Sequence, residues 1–542
     1  MGKNRTPQWV LAVAGAVGVW LVLHRPRRLG VAVLLAAALE SMRRKRLPHA
    51  MPPPPCAPPQ LGSAMPPSTA FQEPPIPFNT PDAFLEEAMA HFKRLLQFDT
   101  SNPPGQEEAC ADWCREQLEK VGIQVRVMDV ESPGQGSKRR SIVARLPGPD
   151  SVPESEDLLL SAHLDVVPAD TAEWIYPPFE ATTARDSTGI ECVWGRGAVD
   201  MKHMAAYCLT TMLELARTKA KLKRGLKLAL VADEEAGCGY GALPLARQHP
   251  DWLTAKACIT EAGGSTQHTA GKRLYPIQVG EKGFVWLKVK VKGIPGHGSS
   301  PTKHHALARL APVLQDLIDE PYMGHKCNKF TKDCVDSLGD TLGGMGGWLF
   351  KSISGATSSK IVLGFVMPAP IAGFMASMVH NTAAPTMLQS GSKVNILPSS
   401  AELVVDCRVT PGTDPQEFIE EFKKRVGGAC EVEPLLHGIG PPVENAYKGN
   451  PIYDLCNTIV HEADPGSLTA PCVIQGFTDA RAYNEIGIPT YGFSPVWLPP
   501  CLPFMMLGFH GHNERIPVHG FRWGAACMRE LVHRWCVDGH TQ

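Results

Sequence analysis

Three apolar runs in this chain lead into an acid or a histidine, and that recurrence constrains the fold more than any other feature. "DLLLSAHLDVV" (157–167) reaches His163 and Asp165, "GLKLALVAD" (225–233) leads into Glu234 and Glu235, and "AKACIT" (255–260) leads into Glu261. Continuous apolar runs of this length suit strands buried on both faces of a parallel sheet. "MKHMAAYCLTTMLELART" (201–218) and "GALPLARQHP" (241–250) lie between them with helical character. Alternating strands and helices predict an α/β fold around a mostly parallel sheet. Sites in such sheets form beyond the carboxyl ends of the strands, where His163, Glu234, Glu235 and Glu261 fall.

Two further segments carry the same residue types: "VWGRGAVDMK" with Asp200 and "FHGHNERIP" with His510 and His512. Carboxylates and imidazoles crowded together cost several kcal/mol in desolvation and repulsion unless a cation neutralises them. A divalent metal site accounts for the crowding. His163 and Asp165 are two residues apart, hence on one side of an extended backbone. Asp165 is placed to accept the hydrogen bond of the non-ligating ring nitrogen; a strand-end histidine capped by its neighbour is the alternative. Asp200 follows a small-residue turn and suits either a carboxylate bridging two ions or the N-cap of the following helix. Glu234 and Glu235 point opposite ways in extended backbone, so a turn at Gly237, Gly239 and Gly241 must swing both toward one site. One carboxylate then binds metal and the other takes a proton from water. An exposed acidic loop is the alternative.

The texture changes after Gly283. "FVWLKVKVKG" and "KVNILPSSAELVVDCRVTPG" alternate like half-exposed strands, and "HHALARLAPVLQDLI" is an amphipathic helix. Residues 284–410 therefore read as an inserted smaller α+β domain. Residues 81–283 and 411–542 read as the two parts of the larger one, the second carrying a helix at "DPQEFIEEFKKRVGG" and a strand at "IPTYGFSP". Thr80 is a candidate N-cap with Pro81 at the first helical position. Ile361 to Val379 is uncharged, but Pro368 and Pro370 argue against a spanning helix. It reads as core or dimer contact, or as an apolar wall for a greasy substrate.

Residues 51–80 are proline-rich and read as an extended tether. Residues 1–50 are basic and apolar, with runs at Trp9–Leu23 and Leu29–Leu39, each short of the roughly 20 residues that span a bilayer. A short membrane anchor, a transit peptide and a cleaved signal all fit. Arg43, Arg44, Lys45 and Arg46 favour membrane association with the following domain facing the cytosol; an organellar or lumenal location is the alternative. The net charge of −1 gives no field for nucleic acid, and the sixteen scattered cysteines read as reduced, mostly buried thiols; Cys327 and Cys334 fall in a loop-like stretch.

"HLDVVPAD", "GRGAVDMK", "ADEEAG", "TEAGG", "GIPGHGSSP", "VNILP…VDCRV", "TDAR" and "HGHNE" follow one another in the order seen in M20 metallopeptidases, which the chain resembles over about residues 80–530. It looks most similar to the branch of carboxypeptidase S-like enzymes and N-acyl-amino-acid hydrolases. The resemblance implies a zinc-peptidase catalytic domain with an inserted lid and dimerisation domain, and two zinc ions per subunit. His163 and Glu261 would bind one zinc, Glu235 and His510 the other, and Asp200 would bridge them, with His512 a rival to His510. Glu234 would be the general base and then the general acid to the leaving amine, and Asp165 would support His163. His297 would polarise the scissile carbonyl, commonly across a homodimer, and Arg408 and Asn395 would grip a substrate carboxylate. The implied reaction is hydrolysis of an amide next to a free α-carboxylate, in N-acyl amino acids or at the carboxyl end of short peptides. Dipeptidase-like or desuccinylase-like specificity, or a non-catalytic scaffold, are alternatives. Thr260 and Ala262 depart from the family pattern and leave Glu261 as the sole carboxylate of its segment.

Overall fold

The computed structural model describes residues 73–131, 138–269, 271–366 and 369–539. The anchor and most of the proline-rich tether expected over residues 1–72 lie outside them. Among the described residues no helix is long and apolar enough to cross a membrane.

The three apolar runs form the centre of the larger sheet. Leu158–His163 lies parallel to both Leu226–Val231 and Ala257–Thr260, and the last of these is parallel to Thr490–Gly492. Every residue of the first three strands is buried. Lys227 is the one charge in that core, and its Nζ escapes by donating to Glu154 at 2.6 Å. Antiparallel strands flank this parallel centre. Val125–Glu131 and Lys138–Leu146 extend one side, and Lys272–Glu281 continues the other. Helix Lys202–Arg217 is buried along nearly its whole length, packed between the sheet and the helices Asp82–Leu96 and Val518–Val532. Thr80 does not cap the first of these: Pro81 occupies the N-cap position and the Thr80 hydroxyl donates to the Pro77 carbonyl.

The chain passes from one sheet to the other at Lys282. Gly283–Lys292 pairs antiparallel with Ser400–Val409 on one side and with Cys430–Gly440 on the other; His380–Ser390 and Tyr322–His325 complete five strands. Burial alternates strictly along Ser400–Val409. The apolar face is covered by helices Ala306–Asp319 and Pro415–Val426, which contribute Leu310, Leu317, Phe418 and Phe422. The inserted layer therefore does not end at 410: the helix read as returning to the larger domain packs here, and its sheet runs on to Gly440.

A group of helices interrupts this second layer: Lys329–Leu342, Gly344–Ser352, Ala356–Ile361, the π-helical turn Val362–Val366, and Ala369–Val379. The uncharged stretch is thus broken rather than continuous. Val362, Met375, Met378 and Val379 pack with Val335 and Ile353 in a small core of their own, whereas Ile361 and Val366 stay exposed. Cys334 belongs to the first of these helices, not to a loop, and the described cysteines are free thiols, most of them buried.

Candidate metal centre

Beyond the carboxyl ends of the central strands, six side chains from five distant segments meet. His163 ends its strand fully buried, and its Nε2 lies 3.0 Å from Asp200 Oδ1, 3.7 Å from Glu261 and 3.9 Å from Glu234. The other oxygen of Asp200 lies 2.9 Å from His510 Nε2, and that nitrogen is 3.1 Å from Glu235. Asp200 therefore stands between two imidazoles, one oxygen toward each. It is not a helix cap, because Met201 occupies the N-cap position of the helix that follows. His512 is exposed and makes no contact with the cluster; His510 is the histidine of its segment that reaches it.

The turn that swings both glutamates inward is built as its glycines suggested. Asp233 and Gly237 take left-handed backbone at φ 67° and 101°, and the Gly237 amide donates to the Glu234 carbonyl at 2.8 Å. Gly241 has no room for a side chain, since a Cβ there would stand 1.6 Å from the Ala232 carbonyl oxygen.

Asp165 works differently from the expectation. His163 Nδ1 is 3.0 Å from the backbone carbonyl of Asp165 and 3.5 Å from its carboxylate. A carbonyl only accepts, so Nδ1 carries the proton toward it. The carboxylate instead takes the amides of Glu234 and Glu235, both at 3.1 Å, and Asn102 Nδ2 at 2.8 Å. It holds the backbone of the glutamate turn as well as facing the ring.

Electrostatics mark the inner groups as unsatisfied. Burial, and then the charge of Asp200, push Glu235 up to about 7 and Glu261 up to about 8. Burial and the Glu261 charge push Glu234 well above the usual carboxylate range. Burial would raise Asp200 as well, but hydrogen bonds from His163 and His510 outweigh it and hold the acid ionised. Burial opposes the charge on His510, yet Asp200 and Glu235 lift it to about 10. Glu235 Oε1 is buried without a hydrogen-bond partner. With Nδ1 of His163 donating, its Nε2 points a bare lone pair at carboxylate oxygens. That contact is repulsive unless a proton or a cation sits between them. An imidazole nitrogen and hard carboxylate oxygens are the donor set of a borderline divalent ion, so the residues fit a metal.

Other expected site residues stand apart from this cluster. His297 lies on the ribbon formed by Gly296–His297 and Ile396–Leu397, and Asn395 in the turn just before its second strand; both are exposed, and the His297 ring bonds to Ser299. Arg408 is engaged by Asp406, two residues away on the same face of the strand, with its Nε 3.0 Å from the carboxylate. Its guanidinium also lies 5.2 Å from the Phe477 ring, as does that of Arg481.

Sequence reasoning missed the support. Glu514 is fully buried and accepts from Arg196 Nη1 (2.8 Å) and from the amides of Gly197 (2.9 Å), Val199 (2.7 Å) and Asp200 (3.1 Å). It thereby fixes the turn that presents Asp200. Arg139 pairs with Glu107 and, at 2.9 Å, with Asp233 behind the glutamate turn. A signal for Arg139 existed: in an alternating strand, one of the adjacent Arg139 and Arg140 must face inward.

An α/β scaffold with a buried imidazole, a half-exposed one and four carboxylates gathered at its strand ends is the framework of a metal-dependent enzyme. The chain belongs to peptidase family M20/M25/M40, whose model matches residues 159–534. Among its relatives are the human N-fatty-acyl-amino acid synthase/hydrolase PM20D1, 27% identical over 72% of this chain and 76% of the relative, and human aminoacylase-1, 23% identical over 81% and 93%. Solved structures share the fold. The M20 metallo-carboxypeptidase Sso-CP2 of Sulfolobus solfataricus superposes with a TM-score of 0.61 at 20% identity, covering 82% of this chain and 98% of the other. The dipeptidase Dug1p of Saccharomyces cerevisiae gives 0.62 at 14%, covering 84% and 96%.

Proposed function

We propose that this chain is a two-zinc amidohydrolase that cleaves an amide bond next to a free α-carboxylate, in N-acyl amino acids or at the carboxyl end of short peptides. The observation that carries the proposal is Asp200 between His163 and His510, one oxygen toward each ring, with Glu234 beside them, 3.9 Å from His163 Nε2. The kinship with proteins named N-fatty-acyl-amino acid synthase/hydrolase and aminoacylase-1 supports the substrate class.

His163 and Glu261 would hold one cation, Glu235 and His510 the other, with Asp200 shared. When bound, such ions polarise the scissile carbonyl and lower the pKa of the attacking water toward about 7. Glu234 takes the proton of that water and delivers it to the leaving nitrogen, a role suited to a carboxylate whose pKa burial has raised. Asp165 and Glu514 keep the Glu234 turn and Asp200 in place through backbone amides. His297, brought by a second copy in a homodimer, would steady the carbonyl oxygen. Arg408 and Asn395 would receive the substrate carboxylate, Arg408 exchanging Asp406 for it. Residues 9–39 would hold the protein at a membrane.

The test is hydrolysis of N-acyl amino acids and short peptides by zinc-loaded protein, before and after chelation. The expected result is release of the free amino acid, lost on chelation and restored by zinc. Turnover indifferent to chelator, or equal turnover of substrates whose carboxylate is amidated, refutes the assignment.

A further inference from the structure

We propose that the loop 503–509, together with Ile175, is a subsite for a long apolar acyl chain of the substrate. The proposal rests on the amidohydrolase reading above and names the half of the substrate that reading leaves open. Phe509 precedes His510, and its ring lies flat on the imidazole, 4.4 Å between centroids and 5° from parallel. Phe504 continues the surface, 5.9 Å from Phe509. Met505 is 88% exposed and Phe509, stacked on His510, 47%. Ile175, 52% exposed, is tied to the same place: its amide donates to Asn513 Oδ1 at 2.6 Å, and Asn513 donates back to the Glu173 carbonyl at 3.3 Å.

This lip is built rather than loose. Leu502 and Leu507 anchor the loop in the core, the Leu507 carbonyl accepts from the Arg515 amide at 2.9 Å, and Arg196 holds the Gly511 carbonyl at 2.8 Å. Residues 486–509 carry no charged side chain, so an ionic group finds no partner on the loop. The two halves of an N-acyl amino acid differ in this respect. The amino-acid half brings a carboxylate and requires a cation, which Arg408 offers elsewhere. The acyl half brings only carbon, and an apolar surface starting one ring away from His510 is where a chain leaving the carbonyl gains by leaving water.

The experiment measures kcat/KM for N-acyl derivatives of one amino acid, from acetyl to dodecanoyl, and takes the slope of its logarithm against chain length within each enzyme. That slope does not depend on how much active protein a preparation holds. The wild type should gain roughly two- to four-fold per methylene over the middle of the series, the upper figure being complete burial of each carbon. Met505→Ser with Met506→Ser should at least halve the slope, and Met505→Leu with Met506→Leu should restore it. In parallel, zinc-loaded protein should bind a fluorescent polyene fatty acid, with the serine variant at least ten-fold weaker. A wild-type slope in the serine variant, or a variant that alters only the oligomeric state, overturns the subsite. Absence of amide hydrolysis from any wild-type preparation overturns the function itself, and undiminished fatty-acid binding by the serine variant then removes the subsite as well.

Discussion

Glu514→Gln tests whether the cluster depends on a residue that reaches it only through the backbone amide of Asp200. The substitution keeps volume and removes a charge. In the wild type one oxygen of Glu514 serves Arg196 and Gly197 and the other serves Val199 and Asp200. Whichever way the amide is turned, two of these four donors face an NH2 group. Hydrogen bonds to a charged acceptor are worth about 1.5–3 kcal/mol each, and Arg196 is left buried without its counter-charge. Breaking one side of a buried pair costs about 3–5 kcal/mol. That is a large part of the ~5–15 kcal/mol that keeps a domain folded. Arg196 also holds the Gly511 carbonyl, so the Asp200 and His510 segments loosen together. Residues that orient ligands from behind typically change metal affinity by about 10–100-fold. Zinc affinity, read by competition with a chromophoric chelator, should fall within that range, and the urea midpoint of the metal-free protein should drop. Wild-type zinc affinity and an unchanged midpoint in Glu514→Gln would show that the clamp does not position Asp200.

Three further outcomes follow from the same geometry. Glu234→Gln should retain metal, measured by elemental analysis, while kcat falls by about 10²–10⁴, the usual contribution of a positioned base; near-normal turnover rules it out as the base. His510→Ala should weaken metal binding sharply whereas His512→Ala should not, because only His510 reaches Asp200 and Glu235; the reverse order reassigns the ligand. The raised acids set the pH dependence: Glu235 titrates at about 7 and Glu261 at about 8 when folded, against an ordinary value of 4.5. Groups raised by folding contribute stability that is present below the unfolded value and lost as pH climbs through the folded one. The metal-free protein should therefore lose stability between about pH 5 and 8, while zinc, which needs the deprotonated acids, binds more tightly over the same interval. The gap in Tm between zinc-loaded and metal-free protein should widen with pH, and a constant gap contradicts the assignment of these acids.

The centre of the fold was legible because a strand covered on both faces has few ways to be written. "LLLSAH", "LKLALV" and "ACIT" announce such strands, and the acids after them mark the end at which a site forms. What composition cannot express is which sheet a half-exposed strand joins. Cys430–Gly440 pairs with Gly283–Lys292 from well over a hundred residues away, and no local pattern says so. The role of Asp165 escaped for a related reason. Its side of the strand was readable, but the donors it meets come from a turn seventy residues later. The Asp406–Arg408 pair was readable and went unread: in a strand, residues two apart share a face, so an aspartate there competes for the guanidinium.

The carboxylates of the centre fall into two sets, and the division explains why a cluster so costly persists. Asp165, Asp233 and Glu514 are each supplied from within the chain, by Asn102, Arg139, Arg196 and backbone amides. Among the described residues, Asp200, Glu234, Glu235 and Glu261 have no arginine or lysine paired with them and share two imidazoles among four acids. Ionised beside neutral imidazoles, those four carry a charge of −4, which two divalent cations would balance. The chain neutralises the acids that build the site and leaves uncompensated those that would meet the ions and the attacking water. Filling one of the inner positions with a basic side chain would therefore relieve the electrostatic cost and remove the chemistry together.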